Sequence, residues 1–326
     1  MTGATKGPTR WGFLGAGFIA SKALAPATHA AEGATLYAVA SRDTRRAEKL
    51  EPTRTHIAYR EVIEDENVDA VYIALSNDEH LPWTIAALEA GKAVLCEKPL
   101  TLDGQQCRHA MSVARSTGCL LVEATWLRWH PRYRRANELL GGERSGPISA
   151  IDAAFTFDGV PQDNYRMDHS KGGGALLDLG AYVLAPVVDW CHDSWQKTEA
   201  NERTNDRGAD MRTSVSLMSA QTSARLLTSF VDPPNQSLRV ASRDLAVEWT
   251  DEAFTSWQSE SRLDLESGET TWQETFAPCD AYQLMVEQVS RRVQGDDTAH
   301  IPDSSMTLRT ADMIDVIRAS ARRRPA

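Results

Sequence analysis

The sequence predicts an α/β protein in two parts. A doubly wound parallel sheet fills residues 1–125, and residues 126–303 form an α+β domain on a large, open, mainly antiparallel sheet. Three observations predict this. The first part alternates apolar runs with helix-like segments, the second part changes to one strand-like run after another, and 326 residues exceed what a single ordinary core encloses.

The elements follow in order. Residues 11–14 form a short apolar strand that breaks into Gly15-Ala16-Gly17-Phe18-Ile19-Ala20, and a helix-like segment runs to Glu32. Residues 35–40 are the next apolar run. Residues 69–75 are continuously apolar after Asp69, as a parallel strand covered on both faces should be. Residues 80–90 read as a helix stopped by Gly91. A strand at 93–96, a helix at 103–117 and a strand at 120–124 complete the half, while residues 51–57 offer little for a strand between the second and fourth.

In the second half, residues 148–157, 213–219, 224–231, 237–240 and 246–250 have strand character. Residues 264–276 alternate around Ser267-Gly268 as a hairpin does. Residues 197–210 are strongly polar and read as a surface loop. Residues 306–321 are amphipathic, with Met306, Met313, Ile314 and Ile317 near helical spacing. Arg322-Arg323-Arg324 reads as a short solvated tail.

Composition excludes several classes. A formal net charge of −10 disfavours nucleic acid and an anionic membrane surface as partners. Five cysteines without a C-x-x-C pair fit neither a disulfide framework nor a zinc site, so a reducing cytoplasm and no metal are expected. Residues 1–9 lack the apolar core of a signal peptide. Nothing approaches the roughly 18 uninterrupted apolar residues of a membrane span.

The turn Gly15-x-Gly17-x-x-Ala20 is a dinucleotide fingerprint. The first glycine makes the turn, the second lets a pyrophosphate reach the backbone, and the small third residue permits close helix packing. Its place between a first strand and a first helix is the context that confirms such a motif and predicts a Rossmann domain. At the end of the second strand, Ser41-Arg42-Asp43 with Arg45 and Arg46 offers guanidinium groups where an NAD site places an acid. Guanidinium pairs with a 2′-phosphate, so NADP is expected, with NAD possible if Asp43 takes the ribose hydroxyl. Two more clusters sit at carboxyl ends of strands, where ligands bind in open α/β sheets. They are Leu75-Ser76-Asn77 with His80, and Glu97-Lys98-Pro99. Pro99 holds Lys98 extended; Lys98 either projects over the nicotinamide or faces solvent.

The densest signal is Lys171-Gly172-Gly173-Gly174-Ala175-Leu176-Leu177-Asp178-Leu179-Gly180-Ala181-Tyr182. Asp178 and Tyr182 lie four apart and share a helical face, and bare glycines allow close backbone or ligand approach. A carboxylate and a phenol on one face suit proton exchange with a polyol; the alternative is a buried helix after a glycine-rich loop.

These motifs together resemble the glucose–fructose oxidoreductase and inositol dehydrogenase family, Gfo/Idh/MocA. They cover about the first 180 residues of the chain. Tyr182 stands where many members carry His, which resembles the branch of glucose–fructose oxidoreductase, dimeric dihydrodiol dehydrogenase and NADP-linked xylose dehydrogenases. Glu123-Ala124-Thr125-Trp126-Leu127-Arg128-Trp129-His130-Pro131 and Asp163-Asn164-Tyr165-Arg166 resemble segments of the same enzymes.

The resemblance implies an NADP-linked oxidoreductase acting on a cyclic sugar or polyol. Lys98, Tyr182 and Asp178 are the catalytic candidates. Gly15, Gly17, Phe18, Ile19, Ser41, Arg42, Arg46, Leu75, Ser76, Asn77, His80, Glu97 and Lys98 would meet the cofactor. Arg128, His130, Asn164, Arg166, Asp178 and Tyr182 would meet the substrate. Free tyrosine titrates near pH ~10, and a Lys98 ammonium nearby would lower that value. Trp126 and Trp129 offer flat surface to a sugar or an aromatic diol. His29, His56, His109 and His192 read as structural or exposed. The resemblance also implies a homodimer or homotetramer through the open sheet, and a final helix, 304–322, packed against the nucleotide domain. Competing readings are a keto-sugar or dicarbonyl reductase, a dihydrodiol dehydrogenase, a glycosidase that uses NAD transiently, and a non-catalytic dinucleotide sensor.

Overall fold

A computed structural model describes residues 7–141, 146–191, 194–250, 252–255 and 258–325. His192 and residues 1–6 lie outside them. The chain forms two compact units, Met1–Thr101 with Gln105–Trp126 and Asp280–Ser304, and Leu102–Gly104 with Leu127–Cys279 and Ser305–Ala326.

The first unit is a six-stranded parallel sheet. Its strands are β1 (Thr9–Leu14), β2 (Ala34–Ala40), β3 (Arg54–His56), β4 (Ala70–Ile73), β5 (Ala93–Cys96) and β6 (Leu121–Glu123), in the order β3-β2-β1-β4-β5-β6. Strand order reverses between β1 and β4, which makes the carboxyl ends of those strands the crevice where ligands bind in such sheets. β4 and β5 are buried at every residue, as their unbroken apolar sequence requires. The third strand exists, but is three residues long. A helical segment follows the glycine turn and ends in α1 (Ala25–Ala30), after a π-helical stretch over Ala20–Leu24. α2 (Thr44–Glu48), α3 (Tyr59–Glu64), α4 (Asn77–Glu89) and α5 (Gly104–Thr117) alternate with the strands.

In the second unit the strands are β7 (Ile148–Thr156), β8 (Lys197–Thr204), β9 (Asp210–Met218), β10 (Ser223–Ser229), β11 (Asn235–Ser242), β12 (Ala246–Thr250), β13 (Ser261–Ser267), β14 (Thr270–Phe276) and β15 (Ala321–Pro325). They form one sheet in the order β14-β13-β12-β11-β7-β10-β9-β8-β15. Among the described residues, only β7 with β10 and β8 with β15 run parallel in this sheet. α6 (Pro131–Leu140) precedes the sheet. α7 (Ala175–Trp190), buried from Ala175 to Val188, packs on β7, β9 and β10.

Three expectations need correcting. Residues 197–210 are not a loop: they hold β8, whose inward positions are Ala200 and Glu202. Glu202 can face inward because Arg323 Nε donates to its Oε2 at 3.0 Å. The basic tail is therefore also not free chain; it is the edge strand β15, parallel to β8. The closing helices also part company. α8 (Ala281–Val293) packs on α1, β1 and β2 of the nucleotide unit, with Trp11 Nε1 donating to Ser290 Oγ at 3.0 Å. α9 (Ser304–Ser320), the helix expected there, belongs from Ser305 onward to the second unit and buries Ile314 and Ile317. Periodicity tells which face of a helix is apolar, but not which surface receives it.

The tightest spot in the first sheet is Gly12, where a Cβ would lie 2.4 Å from Val62 Cγ1 and 2.9 Å from Val68 Cγ1. Gly12→Ala should destabilise the protein by about 1–3 kcal/mol through overpacking, read as a lower midpoint in chemical denaturation with an unchanged slope.

Candidate active site

In the first unit the glycine turn is built as the fingerprint demands. Gly15 has φ +98°, and a Cβ there would meet the Ala74 carbonyl oxygen at 2.5 Å, so the fold itself needs this glycine. Gly17 differs. The nearest protein atom to a Cβ there is 3.8 Å away and its backbone is not left-handed. Nothing in the protein forbids a side chain at 17, so the open space above it suits a ligand, and a pyrophosphate fits. Phe18 beside it is 78% exposed, Ile19 is half-buried and Ala20 is packed inside.

At the end of β2, Asp43 is occupied. Its Oδ1 caps α2 by accepting from Arg45 N at 3.1 Å, and Arg45 Nε lies 3.6 Å from it. Arg42 and Arg46 are exposed, and Ser41 is buried. Arg42, Arg45 and Arg46 thus present three exposed guanidinium groups beside a partly exposed Asp43.

Lys98 sits half-buried in a clamped turn whose Lys98–Pro99 bond is cis. On one side His80, buried in the first turns of α4, places Nδ1 2.7 Å from Pro99 O and Nε2 3.2 Å from Leu75 O. Burial holds its pKa below the ordinary histidine value, so the ring is neutral near pH 7 and donates to one of these two carbonyls. On the other side Leu100 N donates to Glu123 Oε1 at 2.9 Å, and Glu123 Oε2 accepts from Thr125 Oγ1 at 3.0 Å. Glu97 accepts from the buried phenol of Tyr72 at 2.8 Å. Ser76 is half-buried and Asn77 buried at the start of α4. The sequence gives Tyr72 only as part of a strand and Glu123 only as part of a resembling segment, with no role for either. Their signal was a phenol inside an otherwise apolar strand and a carboxylate at a strand's carboxyl end.

In the second unit Asp178 and Tyr182 share the face of α7 that the spacing predicts, and both are buried. Arg166 Nε donates to Asp178 Oδ2 at 2.8 Å, and Asn164 Oδ1 accepts from Arg166 N at 3.0 Å. The Tyr182 ring lies 5.5 Å from Phe155 and 5.9 Å from Phe254. The structure thus brings Asn164, Arg166, Asp178 and Tyr182 into one unit.

Several other expectations change. Gly173 and Gly174, before α7, serve close packing within the protein itself. A Cβ at Gly173 would sit 2.6 Å from three carbonyl oxygens, those of Tyr165, Arg166 and Asp168, and at Gly174 it would strike Asp210. Arg128 closes its fork on Asp189, with Nε–Oδ2 at 3.0 Å and Nη2–Oδ1 at 2.9 Å, and both side chains are almost fully buried. Tyr133 donates to the same carboxylate at 2.7 Å. Arg128 therefore belongs to a buried pair rather than to a substrate surface. His130 caps α6, its Nδ1 accepting from Arg132 N at 3.1 Å. Trp126 and Trp129 are core, with Trp126 stacked on Tyr282 at 5.7 Å. Of the other histidines, His29 and His109 are exposed and His56 lies near Glu61.

A parallel sheet with a dinucleotide turn, joined to a unit that carries a phenol and a clamped carboxylate, defines an NAD(P)-linked oxidoreductase. Residues 9–125 match the Gfo/Idh/MocA oxidoreductase family, NAD-binding Rossmann fold, and residues 133–244 match its C-terminal domain. The chain belongs to the Gfo/Idh/MocA family. It is 31% identical to D-xylose 1-dehydrogenase (NADP+) 2 of Haloferax volcanii over 93% of this chain and 95% of that one. It is 34% identical to trans-1,2-dihydrobenzene-1,2-diol dehydrogenase of Mus musculus over 64% of each. The fold superposes on a 3-ketoreductase of Actinomadura kijaniata in complex with NADP and TDP-benzene with a TM-score of 0.87, at 27% identity, covering 98% and 99% of the two chains. Among the described residues no helix is long and apolar enough to cross a membrane.

Asp210, which the sequence reading passed over, is buried against the start of α7, and burial beside Glu202 raises its pKa to about 6. A carboxyl whose folded pKa lies above its unfolded value favours the fold most when protonated. Wild type should therefore lose stability relative to Asp210→Asn as pH rises from about 4 through 6, by up to about 3 kcal/mol. Paired urea titrations across that range check this, and a constant gap between the two proteins refutes it.

Proposed function

We propose that the protein is an NADP-dependent dehydrogenase of neutral cyclic aldoses, of the xylose or glucose type, oxidising the C1 carbinol to the lactone. The observation that carries the reading is the Tyr182, Asp178 and Arg166 set on and beside α7, in a chain matching an NADP-linked D-xylose dehydrogenase over nearly its whole length. The bound nicotinamide would supply the hydride acceptor. Tyr182 takes the hydroxyl proton, assisted by Lys98 from the nucleotide unit, and Asp178, held by Arg166, orients the sugar hydroxyls. Gly15, Gly17, Phe18, Ile19, Leu75, Ser76, Asn77, His80 and Glu97 form or support the cofactor cradle. Arg42, with Arg46, reads the 2′-phosphate, and Asp43 engages one oxygen in capping α2.

A keto-sugar reductase is the second reading, favoured by the superposition on a 3-ketoreductase. We also propose a homodimer or homotetramer through the outer face of the open sheet, where Arg225–Asp152 and Arg239–Glu266 pairs are exposed. Light scattering at micromolar concentration would return a monomer mass if this is wrong.

Arg42→Ala should raise the NADP Michaelis constant roughly tenfold or more and leave that for NAD within about twofold. Equal losses for both cofactors would remove Arg42 from phosphate recognition.

Tyr182→Phe should bind NADP normally and lose about 100-fold or more in kcat. Lys98→Met should do likewise, and the double variant should be little worse than either, as for residues acting as a unit. Steady-state kinetics on xylose, glucose, glucose 6-phosphate and benzene dihydrodiol set the substrate class; a clear advantage for either of the last two overturns the aldose assignment.

A further inference from the structure

Helix α7 starts without a cap of its own. Its N-cap residue is Gly174, at φ +124°, which has no side chain to satisfy the first-turn N–H groups. The partner comes from another element. Asp210, the first residue of β9, lies 34 residues further along the chain from Leu176, and its Oδ2 accepts from Leu176 N at 2.8 Å. Thr213 Oγ1 donates to the same oxygen at 2.8 Å. The other oxygen fills the space above Gly174, where a Cβ would lie only 2.0 Å from Oδ1. The glycine and the carboxylate are therefore complementary, because any side chain at 174 would expel the cap. The helix N-terminus also carries partial positive charge that a carboxylate offsets.

What the cap holds matters more than the cap. Gly174 N donates to Arg166 O at 2.9 Å, Arg166 Nε donates to Asp178, and Asp178 N donates to Gly174 O at 3.1 Å. These three bonds close a ring through Gly174, Arg166 and Asp178, and Asp210 sits on its corner. Tyr182 follows one turn later on the same rigid helix.

We propose that Asp210 is a positioning residue: a cap supplied by β9 that holds the first turn of α7 and, through it, the Asp178–Arg166 pair and Tyr182. This rests on the assignment of those residues to catalysis made above. The charged groups facing Asp210 are Glu202 of β8, itself paired with Arg323 of β15, and Arg318 of α9.

Three variants of the full chain test it. Asp210→Ala removes the acceptor, Asp210→Asn keeps a neutral acceptor for Leu176 N–H, and Thr213→Val removes one donor to the carboxylate. Hydrogen exchange of the amides at 174–178 is compared with exchange in β10, which reports global opening. Asp210→Ala should accelerate exchange at 174–178 about tenfold relative to β10 and lower kcat about tenfold, with the NADP dissociation constant unchanged. Asp210→Asn should restore both to within about threefold of wild type. Should Asp210→Ala fail to fold, Thr213→Val should show the same paired changes at about threefold. Wild-type exchange at 174–178 in Asp210→Ala overturns the cap. Faster exchange with unchanged kcat overturns the positioning role, as does an Asn variant as impaired as Ala. A wild type inactive on every sugar would defeat the catalytic assignment instead, and the exchange pattern would still decide the cap.

Discussion

A charge removed from water costs several kcal/mol unless a partner of good geometry meets it, and the second unit is arranged around that requirement. Its interior holds Arg128 together with Asp189, and it buries Asp178, Glu202 and Asp210 against Arg166 and Arg323, which reach in from the surface, and the amide of Leu176. Arg132, also buried, spends its guanidinium on the carbonyls of Thr250 and Ala253. Apart from Arg166 and Asp178, which are 12 residues apart, each pairing joins distant chain segments, so satisfying the charges also specifies which segments meet. The result is most evident in α7, an almost wholly apolar helix. Apolar burial is non-directional, and greasy packing alone would leave such a helix free to rotate or slide against the sheet. Polar contacts at both ends remove that freedom: Asp210 holds its first turn, and Arg128 and Tyr133 hold Asp189 near its last. Asp178 and Tyr182 lie between these two anchors.

The nucleotide unit solves a different problem with similar means. Lys98 follows a strand buried at every residue and carries a long flexible side chain on the turn after it. Its neighbours supply the rigidity. His80 contacts the Pro99 carbonyl, Glu123 accepts the Leu100 amide, and the Tyr72 phenol fixes Glu97. Three elements, β4, α4 and the end of β6, therefore converge on one turn. An ammonium on a four-carbon stem loses much rotamer entropy when fixed, and a preset backbone lowers what remains to be ordered. The lowered pKa of His80 fits this role, because a neutral ring donates one hydrogen bond without adding charge beside Lys98.

Most of the first unit was legible in the sequence because its physics is local. Continuous apolar runs mark strands covered on both faces, and Gly15 marks a turn no other residue enters easily. Asp178 and Tyr182 were legible for the same reason, since helical spacing is a local property. The misreadings share one cause. Lys197–Thr204 looked like a loop because its inward Glu202 is polar, and only Arg323, far along the chain, makes that position habitable. Arg128 looked available to a substrate because Asp189, its partner, sits at the far end of another helix. Trp126 and Trp129 looked like a binding platform, yet Tyr282 and the core claim them. Polar and aromatic residues declare their chemistry in sequence but not their partners.

Glycine shows the same limit from the opposite side. Gly17 and Gly174 both stand beside chemistry, and composition cannot separate them. The structure separates them by what a Cβ would meet. At Gly17 a Cβ would meet nothing nearer than the Ala74 carbonyl at 3.8 Å, so no protein atom explains the missing side chain. At Gly174 the space is already filled by Asp210, so the missing side chain serves the fold. The first glycine therefore faces outward, while the second faces inward to the carboxylate that accepts from the first turn of α7. A glycine-rich motif is a statement that something comes close, and only packing says whether that is ligand or self. In this chain Asp178 and Tyr182 sit on a helix whose start is set by glycines packed against the protein's own carbonyls and carboxylate.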